Sequence, residues 1–243
     1  MTVTKIIINK EIDDKYVEIK DDNFFYLTRV LRHKRNDIFF IIGSKNYYLA
    51  KIISIEKDKL IAEIQESRQI KDINFNINLL FSLLKGEKND LIIKAGTQYG
   101  VKTFHPVLMK RTVIKLSSTD REKKRERFQR IAGDMARESF LGFVPEISKI
   151  QYLNEKIFPE GLKLLFYEEE DLRDLSSLSK EIKNSKSVSL FFGPEGGITK
   201  DEYEYLVNQG FIPITLGERM LKAEFAIIAG INFVSFIKEG KIL

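Results

Sequence analysis

The chain has 243 residues, 43% hydrophobic and 31% charged, with a formal net charge of +5, which places it among soluble globular proteins with room for one large or two small domains. Cysteine is absent and only His33 and His105 offer imidazole, so neither a disulfide framework nor a Cys/His zinc site can be built. The opening MTVTKIIINKEIDD meets acidic residues before any apolar core of signal-peptide length, and the longest apolar run, Phe225 to Ile237, is interrupted by Asn232; a cytoplasmic protein is expected.

In chain order, the first 72 residues carry short β-prone runs at Lys5 to Ile8, Asp37 to Ile42, Tyr47 to Ile55 and Leu60 to Gln65, with Gly43 to Asn46 as a turn. One helix interrupts them, with Asp21 or Asp22 as its cap and Phe24, Leu27 and Leu31 at helical spacing. Arg29, Arg32, Lys34 and Arg35 follow the aromatics Phe24, Phe25 and Tyr26, a composition that suits a phosphate backbone with exposed bases. Past Lys71-Asp72-Ile73-Asn74 the rhythm becomes strand and helix in alternation, which predicts a largely parallel sheet and a domain border near Asp72. Strands are expected at Ile77 to Leu84, Thr103 to Met109 and Leu162 to Tyr167, and helices at Lys88 to Tyr99 and Arg121 to Ser139.

The second of these helices buries a stripe of Phe128, Ile131, Ala132, Met135, Ala136 and Ser139. From Lys110 to Glu138 ten basic residues face five acidic ones. That excess reads either as a nucleic-acid surface or as a solvated helix face.

From Ser187 to Ile237 the chain repeats strand, loop and helix twice. Val188 to Phe192 ends in Gly193-Pro194-Glu195-Gly196-Gly197, and Phe211 to Leu216 ends in Gly217-Glu218-Arg219. Thr199 with Glu202 predicts a capping box, Tyr203, Leu206 and Val207 share one face, and Gly210 stands where a helix stops. The helix from Lys222 onward is apolar nearly all round, which predicts burial against the sheet or a second subunit. Loops at the carboxyl ends of strands in an open α/β sheet are ligand walls, although a glycine-rich turn serves equally as a tight connection. Neither loop has the spacing of a dinucleotide fingerprint or a P-loop.

GPEGG after a strand, followed about twenty residues later by LGERMLKAE, resembles the bacterial 16S ribosomal RNA uridine-N3 methyltransferases of the SPOUT superfamily. RVLR (Arg29 to Arg32), LLKGEKNDLIIKAGTQYGV (Leu83 to Val101) and VPEI (Val144 to Ile147) extend the resemblance in the same order. It departs from the family pattern at Glu218, Lys222 and Phe225 in the second loop, and at Phe140 and Phe143 before VPEI. The resemblance implies an α/β protein in which a PUA-like β-barrel that binds RNA (residues 1–72) precedes a SPOUT methyltransferase domain with a deep trefoil knot (residues 73–243). It implies S-adenosylmethionine as cofactor, bent among Tyr167, Phe192, Gly193, Pro194, Gly196, Gly197, Leu216, Gly217, Met220 and Leu221. It also implies a homodimer, and 16S rRNA within the small ribosomal subunit as partner, held by Arg29, Arg32, Arg35, Arg111, Lys124, Arg127 and Arg130.

Methyl transfer from a sulfonium to a ring nitrogen asks for alignment more than for a metal. Because uracil N3 carries a proton, a base or an anion-stabilising cation is expected beside it. Arg219 and Glu195 are the leading catalytic candidates, with Lys222 and Glu224 behind them and the base unassigned; charge complementing a helix N-terminus is the alternative role for either glutamate. The target base must be unpaired or flipped. The alternative function is a SPOUT-fold RNA-binding protein whose methyl transfer is lost or directed to a ribose 2′-oxygen or a guanine.

Overall fold

A computed structural model describes residues 4–8, 10–70, 75–139, 141–168 and 175–239. The expected border at Asp72 and the departure at Phe140 lie outside the described residues. The chain clusters into two compact units, residues 1–72 with 134–144 and residues 73–133 with 145–243.

In the first unit, β1 (Lys5–Ile7), β2 (Tyr16–Ile19), β3 (Ile38–Ile42), β4 (Asn46–Ile55) and β5 (Leu60–Gln69) form one sheet in the order β1-β3-β4-β5-β2, with β1 parallel to β3 and the other pairs antiparallel. Alternation sends Ile6, Val17, Ile19, Phe39, Ile41, Ala50, Ile52, Leu60 and Ala62 to one face, where they bury a single apolar cluster. Among the described residues the ladders end at β1 and β2, and the apolar cluster includes residues of both.

The helix α1 (Asp21–Phe25) adds Phe24 to that cluster, and the π-helical turn after it adds Leu27. Neither aspartate caps it. Lys20 is the cap residue, it makes no side-chain capping bond, and Asp21 itself has φ 54°. A π-helical turn follows at Tyr26–Val30, closed by the Leu31 N–H donating to the Tyr26 carbonyl at 3.0 Å. The wider turn rotates Leu31 off the buried stripe, and it stands 40% exposed.

Glu11 pins the β3–β4 turn. Its carboxylate accepts from the Tyr48 hydroxyl and the Asn46 amide at 2.7 Å, and from the Ser44 hydroxyl and the Lys45 N–H. Burial alone would raise its pKa, but these donors lower it from 4.5 to about 2. A depressed carboxylate stabilises the fold above its ordinary value and loses that contribution as pH falls from 4.5 through about 2. Glu11→Ala should therefore cost about 1 to 2 kcal/mol near neutral pH, discounted for the group's partial exposure. Denaturant unfolding should show this difference shrinking towards pH 2, and a constant difference would contradict the assignment.

The second unit is a wholly parallel sheet in the order β12-β10-β11-β6-β7-β8, with β9 also beside β7. Its strands are β6 (Asn76–Ser82), β7 (Val101–Leu108), β8 (Glu146–Ile147), β9 (Gln151–Tyr152), β10 (Leu162–Phe166), β11 (Ser187–Phe192) and β12 (Ile212–Ile214). Its helices are α2 (Lys88–Gln98), α3 (Ser118–Glu138, whose last residues group with the first unit), α4 (Ser179–Asn184), α5 (Lys200–Asn208) and α6 (Ala223–Glu239).

One sheet face packs Ile77, Leu79, Phe81, Leu190 and Phe192 against Ile92, Phe128, Ile182 and Ile231 of α2, α3, α4 and α6. The other packs Leu80, Val107, Leu165 and Phe191 against Leu206 of α5 and Phe211. Cover on both faces explains why these strands are continuously apolar. Pro213 is tolerated because β12 is an edge strand.

The helix α3 begins three residues earlier than expected, because the Ser117 hydroxyl accepts from the Asp120 N–H at 3.1 Å. The Thr199–Glu202 capping box is present, and Gly210 has φ 84°. On α5 Leu206 is buried, whereas Val207 is 38% exposed. The helix α6 buries Ile227, Gly230, Ile231 and Val234 but leaves Phe225 55% and Phe236 43% exposed. No described helix is long and apolar enough to cross a membrane.

Candidate functional site

All strands of the second sheet run the same way, so the loops after β6, β7, β10, β11 and β12 leave one edge together. Register fixes this: Phe166 lies beside both Phe192 and Ile214, and Phe192 lies beside Phe81. Tyr167, Gly193 and Thr215 are thus the first residues of three neighbouring loops at the carboxyl ends of strands.

Each glycine loop has its own physical reason. At Gly193 a Cβ would stand 2.5 Å from Ile198 Cγ1, so the turn depends on a bare backbone. Gly217 has φ 100° with nothing within 4 Å of a Cβ, so there the requirement is conformation, and open space remains. The Gly217 N–H donates to the Thr215 hydroxyl at 3.1 Å.

The expected cofactor residues divide into groups. Tyr167 is half-buried, its ring 4.5 Å from that of Tyr203 and its N–H bonded to the Ile214 carbonyl at 3.0 Å. Phe192 turns its ring into the core, stacked on Phe166 at 4.1 Å, and offers the loops only its backbone. Pro194 is buried, Gly196 and Gly197 lie at the surface of the loop, and Leu216 is half-buried against the core. Leu221 is 42% and Met220 90% exposed. Arg219 and Lys222 are exposed and, among the described residues, join no ion pair.

Glu195 is an anchored carboxylate. It accepts from the Lys85 N–H at 3.2 Å and from the Lys88 ammonium at 3.1 Å. The same ammonium lies 3.2 Å from Glu224 Oε2. That buried oxygen is thus one half of an ion pair with Lys88. Glu195 and then Glu224 raise the Lys88 pKa. Burial pushes the Glu224 carboxyl up, but its backbone hydrogen bond and Lys88 outweigh that and leave it lowered. Lys88 thus joins α2, the GPEGG loop and the first turn of α6, a role invisible to the sequence reading because its partner Glu195 is 107 residues away.

The basic residues also separate. The Arg111 guanidinium reaches the GPEGG loop, donating to the Gly196 carbonyl at 3.0 Å. Arg127 is engaged by both oxygens of Asp90, and Lys124 is half-buried beside the Phe128 ring, with burial lowering its pKa. Arg130 is exposed, as are Arg29, Arg32 and Arg35 in the first unit. Among the described residues no group of three His, Asp or Glu side chains could hold a metal ion. A cleft of about 870 Å³ opens where the end of β7, β9 and α5 meet, next to Arg111, which holds the GPEGG loop.

The Ribosomal RNA small subunit methyltransferase E of Bacillus subtilis is 28% identical over 231 residues, 91% of this chain and 90% of that protein. Its namesake in Buchnera aphidicola is 29% identical over 238 residues, 95% of this chain and 92% of that protein. The solved structure of a Ribosomal RNA small subunit methyltransferase E from Neisseria gonorrhoeae bound to S-adenosyl methionine shares the fold, with a TM-score of 0.79 and 24% identity over 97% of this chain and 98% of that one. A family described as RNA methyltransferase PUA domain matches residues 19–65 of the first unit. The parallel sheet and all five of its loops fall within residues 71–235, the match to the family described as RNA methyltransferase domain, to which this chain belongs.

Proposed function

We propose that the chain transfers a methyl group from S-adenosylmethionine to N3 of a uridine in 16S rRNA of the small ribosomal subunit. The observation that carries this reading is the meeting, at one end of the sheet, of the loop after β10 with the loops after β11 and β12, which hold the GPEGG and LGERMLKAE motifs shared with that family. The residues there fit the cofactor: bare backbone at Gly193 and Gly217, open space at Gly217, and apolar Leu216 and Leu221 at the wall.

When bound, the cofactor supplies a methyl group already activated by its positive sulfur. The chain's own contribution is to hold and orient. The backbone of both glycine loops would hold the adenosine, the C-terminal part of the chain threads as a trefoil knot that fixes those loops, and Arg219 with Lys222 would face the uracil anion formed when the N3 proton passes to solvent water. Glu195, neutralised by Lys88, acts as a positioning residue instead of a base. Residues 1–72 serve as the PUA-like RNA-binding domain and residues 73–243 as the methyltransferase domain. The work site is the cytoplasm, where such RNA is found.

The exposed Phe225 and Phe236 on one stripe of α6 are covered by a second copy in a homodimer. Sedimentation at micromolar concentration should show the dimer, and a 28.3 kDa species alone would contradict it. Calorimetric titration with S-adenosylmethionine tests the cofactor assignment: saturable binding is expected, weakened at least tenfold by Leu221→Asp. Absence of binding by the intact protein would favour an RNA-binding module without catalysis.

A further inference from the structure

The cleft between the end of β7, β9 and α5 is lined by none of the residues assigned above to cofactor or catalysis. Its volume of about 870 Å³ lies within the range of small-molecule sites. Its floor is apolar, with Ile114, Leu116 and Leu153, and its walls carry two aromatic rings, Tyr152 and Tyr205. Tyr152 is 47% exposed, and the Arg121 guanidinium stands over its ring at 5.4 Å.

The charges at the cleft are not balanced. Asp201 is paired with Lys110 at 2.6 Å, and Glu202 is spent on the Lys110 N–H and on its own helix cap. Asp120 accepts from the Ser117 hydroxyl. Each nearby carboxylate is thus satisfied within the protein, whereas Lys115 and Arg121 join no ion pair among the described residues. An aromatic wall with spare cations at its rim is the arrangement that holds a base by stacking and its phosphate by charge.

We infer that this cleft takes a single-stranded RNA nucleotide flanking the methylated one, with its base against Tyr152 and its phosphate on Lys115 and Arg121. The inference rests on the RNA methyltransferase reading and extends it to a second nucleotide. The cleft commits to RNA rather than to a free nucleotide, because its cations sit at an open rim where a continuing chain can pass.

The test is filter binding of small-subunit RNA at fixed salt, with photocrosslinking of RNA that carries 4-thiouridine. Tyr152→Ala should weaken RNA binding about tenfold and leave the affinity for S-adenosylmethionine unchanged, while Tyr152→Phe should bind as the parent does. Lys115→Ala should make the salt dependence shallower by about one unit of slope. Crosslinks should map to Tyr152 or Tyr205. Unchanged RNA affinity in Tyr152→Ala would overturn the inference, as would uridine monophosphate displacing the crosslink as effectively as RNA. Tyr152-dependent binding without methyl transfer would keep the cleft and sink the proposed reaction; normal methyl transfer with Tyr152-independent binding would do the reverse.

Discussion

Gly230→Leu is expected to destabilise the protein by about 3 kcal/mol and to weaken cofactor binding at the same time. On α6 even a Cβ at this position would come within 2.7 Å of Phe192 Cζ and 2.9 Å of Phe166 Cζ. Those rings are stacked on each other in the core and have no free side to move into. Overpacking of this kind typically costs 1 to 3 kcal/mol, and a leucine adds three more carbons beyond the clash. The gain in helix propensity over glycine, about 1 kcal/mol, offsets only part of it. Phe166 and Phe192 are the last residues of β10 and β11, so displacing them shifts the two loops that begin at Tyr167 and Gly193. Thermal unfolding and cofactor titration should therefore fall together. A variant as stable as the parent would show that α6 does not seat on this aromatic pair.

Lys88→Met should lower kcat/KM about 100-fold, as a misplacement of the loops of about 1 Å would. The ammonium holds Glu195 and Glu224, on segments far apart in sequence, beside each other. Removing it leaves two like charges without their shared cation, and Glu224 is only 8% exposed. Because Lys88 is open to solvent, the loss of stability is expected to be smaller than for breaking a fully buried pair, but measurable. The sign with pH follows from Glu224, whose pKa is held below its ordinary 4.5 with Lys88 in place. That contribution is present above pH 4.5 and is lost as pH falls, so the variant's deficit should be large at pH 7.5 and close under acid. Equal stability and methyl transfer at pH 7.5 would remove Lys88 from the site.

Much of this was legible in the residues. The capping box at Thr199, the glycine stop at Gly210 and the strand-loop-helix repeat all depend on local chemistry, and local chemistry is what a sequence displays. The misses have physical causes. The strands β8 and β9 have two residues each, too few for any period to register. The turn after α1 is π-helical, so a 3.6-residue period assigned Leu31 to the wrong face. The run Val188 to Phe192 is apolar on both sides because the sheet is covered twice, and such a run carries no alternation to tell which rings face the loops. The Phe192 ring lies in the core, stacked on Phe166, so only its backbone is left to face the loops. Lys88 stood in the LLKGEKND stretch, but its pairing is purely tertiary.

The central claim is the reaction itself. The protein should be incubated with methyl-labelled S-adenosylmethionine and small ribosomal subunits from cells lacking the protein, and the RNA then digested to nucleosides. The account predicts label in 3-methyluridine, at about one methyl per subunit. Label on a ribose 2′-oxygen or on a guanine would contradict the assigned reaction, and no label despite tight binding of cofactor and RNA would contradict catalysis altogether.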